Sequence, residues 1–174
     1  SDGLDSRPAT VTGSELGRAR RAKPQAAMEP GEGGGLNVEL LEASFNLVAP
    51  QAERLVERFY DRLFEVAPAV RGLFPDDLTD QRKALIGALG MIVGSLRKPE
   101  QLASYLGELG RRHVDYGALE PHYDVVGSVL LETLAEVAGD AWSDELQQAW
   151  TAAFGAIKGI MLEGAAAAEL AKAA

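Results

Sequence analysis

Apolar residues recur at helical spacing from residue 37 to the end of the chain, and no segment alternates as a half-buried β-strand would. Proline, glycine and capping residues mark where each helix begins and ends. The predicted fold class is therefore all-α, with six substantial helices and one short helical turn at residues 68–73. The long helices are predicted to begin near Val38, Ala49 or Pro50, Thr79, Pro99, Pro121 and Ser143.

Residues 1–36 differ from the rest of the chain. They hold seven glycines, three prolines, five acidic and five basic side chains, and no aromatic residue. This composition predicts a flexible tail or linker, ending in the hinge-like Gly33–Gly35, ahead of a domain at residues 37–174. A short basic cluster in the tail either docks on an acidic surface or is simply solvated; it comprises Arg18, Arg20, Arg21 and Lys23.

Charge and composition exclude several classes of function. The net charge of −9 over 174 residues disfavours nucleic acid and anionic membranes as partners. No apolar run approaches the roughly 20 residues of a membrane span, and no secretory leader is visible. The absence of cysteine excludes disulfides, thiolate metal sites and cysteine nucleophiles, and it fits a cytoplasmic protein.

One histidine stands out in the predicted fourth long helix. Leu102, Leu106, Leu109 and His113 lie at i, i+4, i+7 and i+11, so they share a face that should be buried. A buried imidazole needs a partner, which is either an ordinary acceptor in the core or a metal. The other histidine of the chain is His122. A single neutral imidazole in an all-helical apolar setting suits haem iron, because the porphyrin supplies four further nitrogens.

Four segments, in this order and at these spacings, carry a family resemblance. They are FYDRLFEVAPAVRGLFP (59–75), DQRKALIGALG (80–90), RRHVDYGALEPHYDVVG (111–127) and Ala149-Trp150. From about Leu36 to Leu170 the chain resembles a globin, specifically the bacterial single-domain kind related to the globin module of flavohaemoglobins. The resemblance implies a globin fold around haem b, iron protoporphyrin IX.

The resemblance assigns roles on the proximal side of the haem. It implies that His113 ligates the iron through one ring nitrogen, while the other nitrogen hydrogen-bonds a carbonyl or a side chain. Phe74 would wedge against the porphyrin, the alternative being plain core packing at a loop. Leu109 and Val126 would contact the haem as apolar neighbours.

On the distal side, the resemblance places Tyr60 and Gln81 as hydrogen-bond donors to a gas ligand and Leu85 as the apolar wall. Gln81 would donate to the ligand or to the Tyr60 hydroxyl, the alternative being an ordinary surface glutamine. Phe59 is the rival to Tyr60 for the distal position, because the two are adjacent on the second helix.

Tyr123 matches a family tyrosine that contacts the proximal histidine, where a glutamate on the last helix completes the set. Here the aligned position is Ala165, and Glu163 lies about 200° away around the helix, which argues against strong peroxidase-like or dioxygenase activity. Arg112 or, equally, Arg111 would pair with a haem propionate. Ala118 departs from the larger apolar residue usual beneath the haem, and His122 is expected near the surface.

The function implied by these residues is reversible binding of dioxygen, and of other diatomic gases such as carbon monoxide and nitric oxide, at ferrous iron. Two alternatives stay open. One is a nitric-oxide dioxygenase that works with an external reductase, since the sequence contains no flavin or nicotinamide domain. The other is a gas-sensing module, in which the glycine-rich tail would be a linker.

Overall fold

Six α-helices account for most of residues 35–174, which are the residues that the computed structural model describes. They are α1 (Val38–Val48), α2 (Ala52–Val66), α3 (Thr79–Gly94), α4 (Pro99–Asp115), α5 (Glu120–Ala138) and α6 (Asp144–Ala173). Three short 3₁₀ segments connect them, at Ala49–Gln51, Pro68–Leu73 and Gly139–Ala141. No β-strand occurs in this part of the chain, so the all-α prediction is confirmed.

The predicted tail, with its hinge and its basic cluster, falls outside the described residues except at Gly35 and Leu36. From Leu36 to Ala174 the chain forms one compact unit. None of the helices between residues 35 and 174 combines the length and the apolar character needed to span a bilayer.

Proline and glycine set most helix boundaries where the sequence predicts them. Pro99 begins α4, and Pro121 lies in the first turn of α5, where a missing backbone N–H costs nothing. Gly117 and Gly139 follow these two helices with φ of 82° and 57°, a left-handed backbone that other residues rarely adopt. Ser143 caps α6 by accepting a hydrogen bond from the Leu146 amide at 3.2 Å.

The beginning of α3 differs from the prediction. Thr79 is the first residue of the helix rather than its cap, and its amide and hydroxyl both donate to Asp77 Oδ1, at 2.9 and 2.7 Å. A carboxylate satisfies a free amide and also lies favourably at the positive end of the helix dipole. Asp77 is therefore the residue that anchors α3.

An Asp77→Ala variant should be less thermally stable than the wild type, and the difference should disappear in acid. The two hydrogen bonds from Thr79 hold the pKa of Asp77 below its ordinary 3.8. The pKa of Asp77 is lower in the folded chain than in the unfolded chain. The stabilisation is therefore fully present at pH values above the unfolded-state pKa, and it is lost as the pH falls through the folded-state pKa. Thermal melts at neutral and strongly acid pH measure it, with Asp76→Ala as control; an equal difference at both pH values would contradict it.

The helices enclose two apolar clusters. The larger one joins α1, α2, α3, α5 and α6 around fully buried side chains such as Phe59 and Leu63. The smaller one joins α3, α4 and α6 through Ile92, Leu106 and Met161. Between these clusters the helices leave a cavity, which the apolar face of α4 borders.

Candidate functional site

A cavity of about 550 Å³ lies between α3, α4 and α5, and it is closed by the segment 70–75 and by α6. This volume is in the range of small-molecule and cofactor pockets. Most of its walls are apolar. Eight of the residues predicted from the sequence line it, namely Phe74, Gln81, Leu85, Leu109, Arg112, His113, Tyr123 and Val126.

His113 has one ring nitrogen engaged and the other free. Its Nδ1 lies 2.7 Å from the carbonyl oxygen of Leu109, one helical turn earlier. Because a carbonyl only accepts, Nδ1 carries the proton and Nε2 keeps a lone pair. Burial, helped by the nearby Arg112, lowers the pKa of His113 below its ordinary 6.5. The imidazole is therefore neutral at physiological pH, with Nε2 hydrogen-bonded to nothing in residues 35–174 and available as a metal ligand.

Two tyrosines flank this imidazole. The ring of Tyr116, at the end of α4, meets it edge-on at 5.4 Å between centroids, and that of Tyr123 lies 6.0 Å away. Burial raises the pKa of Tyr123 above 10.0, so its phenol stays protonated. The Tyr123 hydroxyl makes no hydrogen bond within residues 35–174. Glu163, the acidic residue nearest in sequence to the position expected to pair with it, is exposed. The sequence had not singled out Tyr116, since an exposed tyrosine after a helix carries no local signal.

Gln81 and Tyr60 form a polar pair that joins α3 to α2. The Gln81 amide donates to the Tyr60 hydroxyl oxygen at 3.1 Å, which leaves the phenol proton free to be donated. Tyr60 is 2% exposed, and this burial raises its pKa above 10.0 against the opposing effect of the Gln81 hydrogen bond. Gln81 lines the cavity, whereas Tyr60 does not line it and adjoins it through Gln81 and Phe74. Phe59 is equally buried and packs its ring against Tyr60 at 4.9 Å.

Phe74 belongs to a cluster of three aromatic rings. Its centroid lies 5.6 Å from that of Tyr60 and 5.5 Å from that of Phe64, both in edge-to-face geometry. Such pairs add about 0.5–1.5 kcal/mol beyond the area that they bury. Phe74 thus lines the cavity with one side and contacts Tyr60, the partner of Gln81, with the other.

The two candidate arginines on α4 lie in different surroundings. Arg111 is exposed and pairs with Glu108 through two hydrogen bonds, of 3.0 and 2.6 Å. Arg112 lines the cavity, and its buried Nε has no hydrogen-bond partner in residues 35–174. An unpartnered buried donor is costly, so Arg112 is the guanidinium suited to an acidic group entering this cavity.

His122 lies in the first turn of α5, partly exposed, and the sequence did not indicate that it also borders the cavity. It is half-buried and lines the cavity, and its Nδ1 accepts a hydrogen bond from the Leu119 amide at 2.9 Å. The sequence also did not assign the wall formed by α6, where Phe154, Ile157 and Met161 line the cavity. Their spacing of three and four residues indicates one face of a helix, but it does not indicate what that face contacts.

The donor set of the cavity fits haem. No group of three histidine, aspartate or glutamate side chains that could hold a metal ion occurs among residues 35–174. A metal ligated by His113 would take its other ligands from a cofactor or from water. Apolar walls, an aromatic ring and an unpartnered guanidinium match a flat macrocycle with carboxylate side groups.

Comparisons with known proteins agree with this geometry. The family model described as Globin matches residues 57–161. The flavohemoprotein of Rhizobium meliloti is 28% identical over 126 residues, which are 71% of this chain and 31% of the relative. That of Rhodopirellula baltica is 36% identical over 124 residues, 68% of this chain and 30% of the relative. The chain thus spans about a third of the length of these curated relatives.

Two solved structures share the fold. A bacterial globin from Campylobacter jejuni superposes with a TM-score of 0.66 at 24% identity, over 74% of this chain and 93% of that one. An engineered carbene transferase, made from a candidate nitric oxide dioxygenase of Rhodothermus marinus, superposes with a TM-score of 0.71 at 24% identity, over 79% of this chain and 96% of that one. With the family model matching more than half of its residues, this chain belongs to the globin family, and that membership implies a haem cofactor.

Proposed function

We propose that this chain is a haem protein that reversibly binds dioxygen and other diatomic gases such as carbon monoxide and nitric oxide. The observation that carries the proposal is His113, a neutral imidazole whose Nδ1 is held by the Leu109 carbonyl at 2.7 Å and whose Nε2 is free. When bound, haem supplies ferrous iron, the atom to which a diatomic gas attaches.

The residues that hold the haem and its iron are proposed as follows. His113 is the iron ligand, and its hydrogen bond to Leu109 fixes the tautomer and the ring orientation. Apolar and aromatic side chains hold the macrocycle, namely Phe74, Leu85, Leu109, Tyr123 and Val126. Arg112 pairs with a propionate. Haem b is proposed because the resemblance to bacterial globins implies it, and the absence of cysteine, which leaves no thioether bond to the porphyrin, is consistent with it.

On the distal side, the proposed donors to the gas ligand are Gln81, which lines the cavity, and Tyr60, which adjoins the cavity through Gln81 and Phe74. The Gln81 amide holds the Tyr60 oxygen at 3.1 Å, so the phenol proton is directed elsewhere than to Gln81. The raised pKa of Tyr60 keeps that proton in place at physiological pH. In a pocket of low dielectric such a hydrogen bond is stronger than in water, and it slows departure of a polar ligand such as dioxygen.

A Tyr60→Phe variant should release dioxygen about 10- to 100-fold faster than the wild type, the equivalent of losing about 1.4–2.8 kcal/mol. Carbon monoxide should be affected much less, because it is a weaker acceptor. In the wild type, the dioxygen release rate should not vary with pH through the neutral range, since burial raises the pKa of Tyr60 above 10.0. Stopped-flow displacement of dioxygen by carbon monoxide measures the dioxygen release rate, and displacement of bound carbon monoxide by nitric oxide measures the carbon monoxide release rate.

The matched control is Tyr105→Phe. Tyr105 also lines the cavity, but it lies on α4, and its hydroxyl has no hydrogen bond within residues 35–174. Unchanged dioxygen release in Tyr60→Phe, or an equal acceleration in Tyr105→Phe, would count against the distal assignment.

Nitric-oxide dioxygenase activity with an external reductase is the second candidate. It is favoured by the flavohemoprotein relatives, which extend well beyond the part that this chain matches. The surroundings of Tyr123 disfavour dioxygenase activity. Its hydroxyl has no hydrogen-bond partner within residues 35–174, so no tyrosine–glutamate pair is present there to make His113 more anionic. Repeated cycles of oxygenation and deoxygenation without net oxidation would support the first function. Steady nitrate production with an added reductase, far faster than autoxidation, would support the second.

We further propose that residues 1–36 are a tail or linker attached to a globin domain at residues 37–174. A cytoplasmic location is consistent with the absence of cysteine. Limited proteolysis tests the boundary: cleavage should concentrate before residue 37, and protection of that segment equal to that of the helices would contradict it.

A further inference from the structure

Arg71 directs its guanidinium at backbone rather than at a carboxylate. Its Nη1 donates to the carbonyl oxygens of Phe74 and Pro75, at 3.3 and 3.0 Å, and its Nη2 donates to that of Asp76 at 3.1 Å. No acidic side chain within residues 35–174 forms an ion pair with it, although the chain carries 26 acidic residues. Three consecutive carbonyls of the break between the second and third helices are thus held by one side chain.

The same guanidinium also covers the aromatic cluster. Its central carbon lies 4.9 Å from the centroid of the Phe64 ring, a cation–π contact. Phe64 in turn packs against Phe74 at 5.5 Å and Tyr60 at 5.9 Å. Arg71 is therefore connected to Phe74 directly, through the Phe74 carbonyl, and indirectly, through the Phe64 ring.

The break has a second anchor at its other end, where Asp77 accepts from Thr79. Between these anchors lies Phe74, which lines the cavity and touches Tyr60, the partner of Gln81. A small shift of this backbone would move the Phe74 ring and, through it, the distal donors. A planar fork with several fixed donors can hold three carbonyls together, whereas a lysine ammonium cannot reproduce that geometry.

We propose that Arg71 is a positioning residue: it fixes the backbone at Phe74–Asp76 and thereby sets the Phe74 ring and the Tyr60–Gln81 pair against the haem and its gas ligand. This inference rests on the proposed function. Arg71 does not touch the ligand itself, so its removal should disorder the pocket without removing any donor from it.

The test is Arg71→Gln and Arg71→Lys in the haem-loaded full chain, with two readouts. The first is the C–O stretching band of the carbon monoxide form, which reports the field of the distal donors. It should broaden or split in both variants. The second is the rate of haem loss to an acceptor protein, which should rise about tenfold, or about 1.4 kcal/mol. Amide exchange of residues 74–79 in the haem-free chain should also accelerate.

Arg97→Gln and Arg97→Lys are the matched controls. Arg97 is an exposed arginine that makes hydrogen bonds of 2.7–3.3 Å to Glu42, away from the cavity. These variants should leave the C–O band and haem loss unchanged. A merely structural role for Arg71 would lower the unfolding midpoint of both variants and leave the C–O band as in the wild type, and this would overturn the assignment.

The outcomes separate the two proposals. If the wild type takes up haem and both Arg71 variants keep its C–O band, only the assignment of Arg71 is wrong. If the wild type takes up no haem, the proposed function fails before any variant is compared, and the assignment fails with it. If Arg71→Gln does not fold, Arg71→Lys, which retains the charge and the apolar stem, decides the matter.

Discussion

A His113→Gly variant should lose haem affinity by more than about 100-fold, because loss of an outer-shell partner alone costs about 10- to 100-fold. The only other histidine of the chain is His122, which lies on the following helix. Added imidazole should enter the space left by the side chain and restore the spectrum of histidine-ligated ferrous haem. Haem titration followed by absorbance, with and without imidazole, measures both effects.

His122→Gly is the control for this experiment. His122 lines the same cavity, but its Nδ1 already accepts from the Leu119 amide at 2.9 Å. It should therefore retain the wild-type spectrum and nearly the wild-type affinity. If the His122 variant instead lost the spectrum while His113→Gly kept it, the ligand would be assigned to the wrong histidine.

Alanine at Gly110 should destabilise the fold, whereas alanine at Gly107, one turn earlier on α4, should not. A Cβ on Gly110 would overlap the backbone carbonyl of Met161 on α6, while a Cβ on Gly107 would meet nothing within 4 Å. Because the obstacle is backbone, it cannot rotate away, and the two helices must separate. Overpacking of this kind costs about 1–3 kcal/mol or more, while glycine to alanine at an open helical site gains roughly 0.5–1 kcal/mol.

Urea denaturation of the haem-free variants measures the difference in the free energy of unfolding. Gly164→Ala on α6 should resemble Gly110→Ala, because its Cβ would overlap the Gly107 carbonyl, and Gly159→Ala should resemble Gly107→Ala. Equal stabilities for Gly110→Ala and Gly107→Ala would show that the two backbones do not meet. Since α4 also carries His113, the destabilised variants should hold haem more weakly.

Helix boundaries follow from the sequence wherever a residue has a local reason to end or begin a helix. Pro99, Gly117 and Ser143 act through their own backbone or side chain, so their effect needs no knowledge of the fold. The beginning of α3 was predicted wrongly because Thr79 and Asp77 are both good capping residues two positions apart. Only the backbone geometry distinguishes them.

Helical spacing also placed His113 and Leu109 on one cavity face, since residues four apart on a helix are neighbours. Spacing could not separate Tyr60 from Phe59, because both are buried and only the hydrogen bond to Gln81 distinguishes them. Nor could it reveal Arg71 holding the break, which depends on three carbonyls brought together in space.

The contact between α4 and α6 likewise could not be predicted from the sequence. Gly110 and Gly164 lie 54 positions apart, and a glycine within a helical pattern looks locally like a weak point rather than a contact. Arg112 and Arg111 are adjacent and chemically identical, and the sequence left both open. Their surroundings differ because Glu108 pairs with Arg111, while Arg112 faces the cavity with a buried donor unpaired within residues 35–174.

The most direct test of the central claim is the absorption spectrum of the purified full chain, recorded as isolated and then after reduction under carbon monoxide. An intense Soret band that shifts to the position of a ferrous carbonyl form is expected, because His113 would supply the protein's ligand to the iron and the cavity would admit a gas. No Soret band, even after haem is added, would contradict the account and make His113 a core residue of a globin fold with another role.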